Sequence, residues 1–498
     1  MSIRITGMNS GMDTDAMVKE LVSAYQKKGE KTTKEKTKLE WKQEIWNDVN
    51  KKIKSFASKV RGFRYTSNYA QKKTVASDES KVSVVAGDNA VRGTQTLKIK
   101  HLAATAYLTS GKVEATGEDK TVTSKTTLSE LGITDKRKIT ISKNNGAEEP
   151  VEFDATADMT VGDFVAKLKT AGLDASFDEK NGRFFISARE SGDAGNFTIE
   201  ADNEDILSTL GFTRGQSLVR GEDAEIELNG ATFTSNTNSF DINGMAISVK
   251  GETKEGESIT LTTDTDTDAI YKNIKGIIKE YSELVNELSK LYNAKAAKDY
   301  EPLTDEEKDA MSDEEVEKWE TKIKDSLLRR DSNISAVKNA MTMASLSAFE
   351  VNGQKYTLSD FGIGTLGYFA AEDNEKSALH IDGDEEDDEV SSKTNKLKQM
   401  LVGDPDVVAG FFSQYMQAIT ESLDKLSSST ENRSFGNYFD DKKVTKDLKS
   451  YESKISDWEE YVKDIEDKYY KQFSNMEKQM AKLNSTQTSL SNYFGTGM

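Results

Sequence analysis

The sequence predicts an α+β multidomain protein, with long terminal α-helical coiled-coil legs and antiparallel β-rich head domains inserted between them. Three observations carry this reading. Apolar residues near each end recur at alternating steps of three and four, the seam of a heptad helix. From about residue 74 to 265 the apolar period falls to two, as along a half-buried strand. Within that stretch Asn-Gly, the strongest short hairpin signal, recurs at Asn145-Gly146, Asn181-Gly182, Asn229-Gly230 and Asn243-Gly244.

The opening helix can be capped by Asp13 or Asp15. Its register runs through Val18, Leu21 and Tyr25, turns polar at Lys28, Thr32 and Glu35, and returns at Leu39. From there the seam is unbroken: Trp46, Val49, Ile53, Phe56, Val60 and Phe63. About forty-five residues at 1.5 Å each give roughly 70 Å of helix. The polar middle predicts weak packing or a break near Lys28 to Lys36. An uncovered apolar stripe favours association. Its expected partners are the helices from residues 270 and 448, and copies of the chain itself.

The β region holds KITIS before its first Asn-Gly, RFFISA after the second, and AEIEL and ATFTS around the third. One short helix interrupts it, TVGDFVAKLKTAG, with Phe164, Val165 and Leu168 on one side. Two small domains are expected, residues 74–115 with 215–265, and residues 116–214. Residues 1–73 form the first leg, 266–430 a helical leg domain with a hairpin insert near 351–382, and 431–498 the closing leg. Ile270, Ile274, Ile277, Tyr281, Leu284, Leu288 and Leu291 give the second heptad series. Capping boxes follow at Thr304 with Glu307 and Ser312 with Glu315. Asp404 and Pro405 start a helix with the stripe Val408, Phe412, Tyr415 and Ile419. The last series runs through Leu448, Tyr451, Ile455, Trp458, Val462, Ile465 and Tyr469, then Met476, Leu483 and Leu490.

Composition excludes several functions. Eighty-six acidic against 67 basic residues give a net charge of −19, which disfavours nucleic acid and anionic lipid. No apolar run suits membrane insertion, and MSIRITGMNSGMDTDAMVKEL does not read as a secretory signal. Without cysteine there is no disulfide, thiol nucleophile or cysteine-ligated metal. Two histidines, His101 and His380, stand in separate contexts without a G-x-S-x-G serine, so no enzyme is expected. Gly362, Gly364 and Gly367 match G-x-G-x-x-G but open no helix and sit in no βαβ unit, so they read as a turn. The acidic run Asp382 to Glu389 lacks the EF-hand glycine and glutamate spacing and reads as a solvated loop. No cofactor and no metal are expected.

Several blocks, in order along nearly the whole chain, resemble the flagellar filament capping protein family (FliD, the cap-forming hook-associated protein). SGMDTDAMVKELVSAYQKK with LEWKQEIWNDVNKKIKSF is similar to its N-terminal signature, and GEDAEIELNG with NSFDINGMAISVKG and SITLTTDTDTDAI to its second. EPLTDEEKDAMSDEEVEKWETKIKDSLLRRD resembles its acidic helical block, and YYKQFSNMEKQMAKLNSTQTSLSNYFG its C-terminus. DFVAKLKTAGLDASFDEKNGRFFIS looks like a small motif shared with flagellins. The resemblance implies an extracellular, non-enzymatic assembly protein at the flagellum tip, exported by the flagellar type III route without a cleaved signal. It implies a homo-oligomeric ring, a pentamer within a range of four to six subunits, that holds flagellin and promotes its polymerisation. Hook–filament junction proteins, and a cytoplasmic chaperone on the C-terminal helix, are the further implied partners. Met8, Met12, Met17 and Leu21 at one end, with Met476, Met480, Leu483, Leu490 and Phe494 at the other, suit adaptable contacts with flagellin or chaperone, or equally an ordinary helix-pair core. A secreted surface adhesin, and a flagellin or junction protein of the same axial system, are the competing readings.

Overall fold

A computed structural model of the chain describes residues 11–117, 121–367 and 369–495, with Tyr493 and Phe494 described by their backbone alone. The chain divides into two compact units, Ala70–Asp266 and Met1–Tyr69 with Thr267–Met498. The β unit is thus inserted into the helical one.

Alternation of apolar and polar residues builds two cores in the β unit, because a period of two puts every second side chain on one face. In the first, an antiparallel five-stranded sheet orders Lys72–Ala76, Ile259–Thr265, Gly93–His101, Ala224–Leu228 and Ala231–Ser235. A three-stranded sheet of Ser239–Ile242, Met245–Val249 and Val82–Ala86 shares its core, which includes Leu97, Ile99, Ile226, Phe240, Ile247 and Leu261. In the second, a four-stranded and a three-stranded sheet enclose the Val161–Thr170 helix. Phe164 on that helix meets the rings of Phe153, Phe184 and Phe212 at 5.6, 5.8 and 6.1 Å. Val165, expected beside it, is half-buried. A second helix, Glu204–Thr209, was not foreseen; at six residues it is too short to carry a periodic signal.

The boundary expected at residue 115 differs from the packing. Ala106 and Leu108 belong to the second core, because their strand, Thr105–Thr109, pairs with Arg183–Ser191. Two of the Asn-Gly pairs form two-residue hairpin loops with both residues left-handed: Asn229 and Gly230 at φ 50° and 84°, and Asn243 and Gly244 at 53° and 73°. At Asn181-Gly182 the loop is longer, because the Asp178 carboxylate accepts from the Lys180 and Asn181 N–H groups at 2.9 and 3.1 Å. A Cβ at Gly244 would lie 2.7 Å from the Ala90 nitrogen. Gly244→Ala is therefore expected to destabilise the β unit by at least about 1 kcal/mol, read as a lowered urea midpoint. An unchanged midpoint would show that the Ala90 loop yields freely.

The helical unit rests on heptad spacing. The opening helix, Thr14–Gly62, is continuous over 49 residues, its start capped by the Asp13 carboxylate accepting from the Ala16 N–H at 2.9 Å. No break occurs at Lys28 to Lys36, where the side chains are exposed or half-buried. Trp46, Val49, Ile53, Phe56 and Val60 enter one large core with Ile270, Ile274, Ile277, Tyr281 and Leu284 of the Thr267–Tyr292 helix. Phe411, Phe412 and Tyr415 of the Pro405–Leu426 helix and Ile334, Val337 and Met341 of the Ser332–Ser345 helix complete it. Both capping boxes form. Asp404 occupies the N-cap position before Pro405, but its side chain makes no capping hydrogen bond. Gly362 ends a 3₁₀ turn at φ 70° and leads into a two-residue strand, so the glycine cluster opens no helix.

Asn50, 6% exposed, donates its amide to Asn437 Oδ1 at 3.1 Å and accepts from the Tyr438 N–H at 2.9 Å. This clasp ties the segment before the closing helix to the opening one. Asn50→Ala leaves the buried Tyr438 N–H without a partner, and a loss of about 1–3 kcal/mol is expected in denaturant unfolding. A loss below about 0.5 kcal/mol would mean that the clasp is replaced at once.

Candidate functional site: the paired terminal helices

The closing helix, Asp441–Gly495, is 55 residues long, roughly 80 Å. It runs antiparallel to the opening helix, since Lys36 meets Glu452 while Tyr25 meets Trp458 and Tyr461. It does not cover the Trp46–Phe63 seam, as the sequence had suggested. The reason lies in the preceding segment, where Phe439 stacks on Trp46 at 5.4 Å and 10°. The closing helix therefore starts level with Trp46 and returns along the polar half of its partner. Ile455, Trp458, Val462 and Ile465 lie half-buried along it, while Phe63 is part-buried at the edge of the large core.

Trp458 holds the register of this pair. Its indole sits over Gly29, where a Cβ would fall 2.3 Å from Cδ1. Its Nε1–H donates to the Tyr25 carbonyl at 3.0 Å, Lys28 Nζ stands 5.4 Å from the ring centroid, and the Tyr461 ring packs at 5.1 Å. Beside the notch a groove of about 560 Å³ opens between Thr33, Thr37 and Trp41 of the opening helix, Ile455 and Val462 of the closing helix, and Leu303. Charged pairs bridge the polar stretch: Lys34 with Glu307 at 3.3 Å, Lys36 with Glu452 at 3.6 Å and Lys38 with Glu301 at 3.6 Å. The Thr304 N–H, with Lys34 beside it, holds the Glu307 carboxyl below the usual range. These contacts explain why the helix stays unbroken where its seam turns polar.

Nearer the terminus Val22 takes the place expected of Leu21, while Val18 and Tyr25 keep theirs. Val18 and Val22 are buried, whereas Leu21, expected in the seam, is 41% exposed beside Met17 at 42%. Met12 and Met476 are half-buried, Met480 is exposed, and Leu483 and Leu490 are 63% and 51% exposed. Met8 lies outside the described residues, as does the Phe494 side chain. Sequence reasoning missed Gly29, Asn50, Tyr438 and Phe439. A glycine inside a long helical pattern was a usable signal, because it weakens a helix by about 1 kcal/mol unless something needs the space.

The acidic loop is held by two lysines and a histidine. Lys275 reaches Asp384 at 2.6 Å and Glu386 at 2.9 Å, Lys393 reaches Asp382 at 2.9 Å, and His380 Nδ1 lies 2.7 Å from Asp387. Burial of the Lys275 ammonium opposes its charge, but the two carboxylates outweigh this and raise its pKa. Burial likewise pushes the Tyr415 hydroxyl far above the phenol range, and it shares a 2.8 Å hydrogen bond with Ser345. Among the described residues no group of three or more His, Asp or Glu side chains is placed to hold a metal ion.

Two long paired helices, with a β unit inserted in the chain between them and no group of metal-holding side chains among the described residues, define the class as an architectural, helix-pair protein. The family model for the flagellar hook-associated protein 2 C-terminus matches residues 221–485, and that for its N-terminus residues 10–106. The chain belongs to the flagellar hook-associated protein 2 (FliD) family. It is 25% identical to flagellar hook-associated protein 2 of Halalkalibacterium halodurans, covering 99% of this chain and all of that one. It is 26% identical to the Thermotoga maritima protein of the same description, over 67% of this chain and 52% of that one. Its fold is similar to the crystal structure of the D1-D2-D3 domains of the flagellar cap protein FliD from Escherichia coli, with a TM-score of 0.52 at 17% identity, over 77% of this chain and 96% of that one.

Proposed function

We propose that this chain is a subunit of an oligomeric cap at the tip of the flagellar filament, where it retains exported flagellin and promotes its polymerisation. The observation that carries the reading is the family match over 221–485, joined to a pair of long helices that expose Met17, Leu21, Met480, Leu483 and Leu490 toward their far ends. Structural work of this kind needs no covalent chemistry. Met12, Met17, Leu21, Met476, Met480, Leu483 and Leu490 are the contacts offered to flagellin, and before export to a chaperone on the closing helix. Such flexible apolar side chains adapt to more than one partner. The seam residues Trp46 to Val60 and Ile270 to Leu284 act within the subunit and hold the base of the pair rigid. Export through the flagellar type III channel, a ring of four to six subunits and junction proteins as neighbours complete the proposal.

The test is flagellin partition in cells lacking the gene, comparing medium and cell-attached fractions by immunoblot, with and without purified full-length protein added outside. Monomeric flagellin in the medium, and filament growth restored by the added protein, is the expected result. Normal filaments without the gene would sink the cap reading and favour an adhesin.

A further inference from the structure

A strongly acidic chain repels its own copies, so contacts between copies are favoured where unpaired cations of one meet carboxylates of the next. The chain carries a net charge of −19. In the helical unit, a groove of about 480 Å³ lies between the end of the Thr267–Tyr292 helix and the Asp313–Ser326 helix. Its walls are small and apolar, including Leu291, Ala294, Ala296, Ala297 and the Tyr300 ring. Lys290, Lys295 and Lys322 stand around it, against Asp325 as the one carboxylate among its lining residues. Arg329 and Arg330 are close by, Arg330 donating its N–H to the Tyr292 carbonyl at 3.0 Å. Among the described residues Lys290, Lys295, Arg329 and Arg330 have no ion pair, and Lys322 bonds only the Tyr300 hydroxyl, at 2.8 Å.

At the other end of the Asp313–Ser326 helix the charge is reversed. The elbow between the Asp305–Asp309 and Asp313–Ser326 helices carries Asp305, Glu306, Asp309, Asp313 and Glu317, all exposed and with no cation partner among the described residues. Between these acids stand Ala310 and Met311, a small apolar tip. The helix separating tip and groove has 14 residues, roughly 21 Å, so the two cannot meet within one chain.

We propose that the acidic elbow of one copy docks in the cationic groove of the next, with Ala310 and Met311 against the alanine walls and the flanking carboxylates on Lys290, Lys295, Arg329 and Arg330. The two patches differ, so the contact is heterologous and closes a ring when the rotation between copies allows. The inference deepens the reading of the chain as an oligomeric cap and rests on it. First-turn acids also stabilise their own helices, which accounts for their presence but not for unpaired arginines beside an apolar groove.

The chain has no native cysteine, which makes the test direct. In the full-length protein, Ala296→Cys with Ala310→Cys should give a ladder of disulfide-linked multimers on a non-reducing gel after mild oxidation, and neither single variant should. Arg329→Glu with Arg330→Glu should weaken self-association by about tenfold or more in sedimentation, and adding Asp305→Lys with Glu306→Lys should restore it. Lys51→Glu, exposed and away from the groove, is the control. Absence of the ladder in a chain that still forms multimers, or a chain that stays monomeric at high concentration, would overturn the proposal. So would reversal of the arginines without effect. Filament growth in the deletion strain reads the cap function separately, so the two failures are distinguishable.

Discussion

Trp46→Ala is expected to destabilise the helical unit by about 3–5 kcal/mol. Trp46 is 1% exposed and stacked on Phe439, and it lies where the opening helix passes from the large core to the helix pair. Removing the indole opens a cavity and also frees the segment that sets where the closing helix begins. The remaining tryptophans, Trp41, Trp319 and Trp458, all lie in the helical unit, so their fluorescence in urea reports that unit alone. A shift equivalent to less than about 1 kcal/mol would mean that Phe439 and its neighbours collapse into the space.

Glycine to alanine inside a helix ordinarily stabilises by about 1 kcal/mol. At Gly29 the added Cβ would fall 2.3 Å from the Trp458 ring, so the indole must leave its notch and give up its bond to the Tyr25 carbonyl. Overpacking of this kind costs about 1–3 kcal/mol, enough to reverse the propensity gain. Gly29→Ala should therefore loosen the helix pair, seen as faster proteolysis of the closing helix and as poorer filament growth. In a Trp458→Ala background the same substitution should stabilise, because only the propensity term remains. This double-mutant cycle isolates the contact. If Gly29→Ala stabilises in both backgrounds, the notch does not set the register.

Much of this was legible from residue spacing. The seams at 46–63 and 270–284 needed no tertiary information, since a step of three and four can be satisfied only by a helix with one buried side. The two-residue hairpins at Asn229-Gly230 and Asn243-Gly244 were legible because few residue pairs tolerate two left-handed conformations in succession. The candidate surfaces were less so. Leu21 and Val22 are both apolar, and nothing local decides which one faces in. The cations of Lys290, Lys295, Arg329 and Arg330 are spread over forty residues, and only the return of the chain beside Tyr292 gathers them.

The sequence by itself determined the helix–β–helix plan, the heptad faces and the absence of thiol chemistry, because period, turn residues and composition are local properties. Which faces meet was decided only by the tertiary structure. Phe439 on Trp46 fixes where the closing helix starts, and Gly29 under Trp458 fixes its register. Both are contacts between residues about four hundred positions apart, and no periodicity along the chain can encode such a distance.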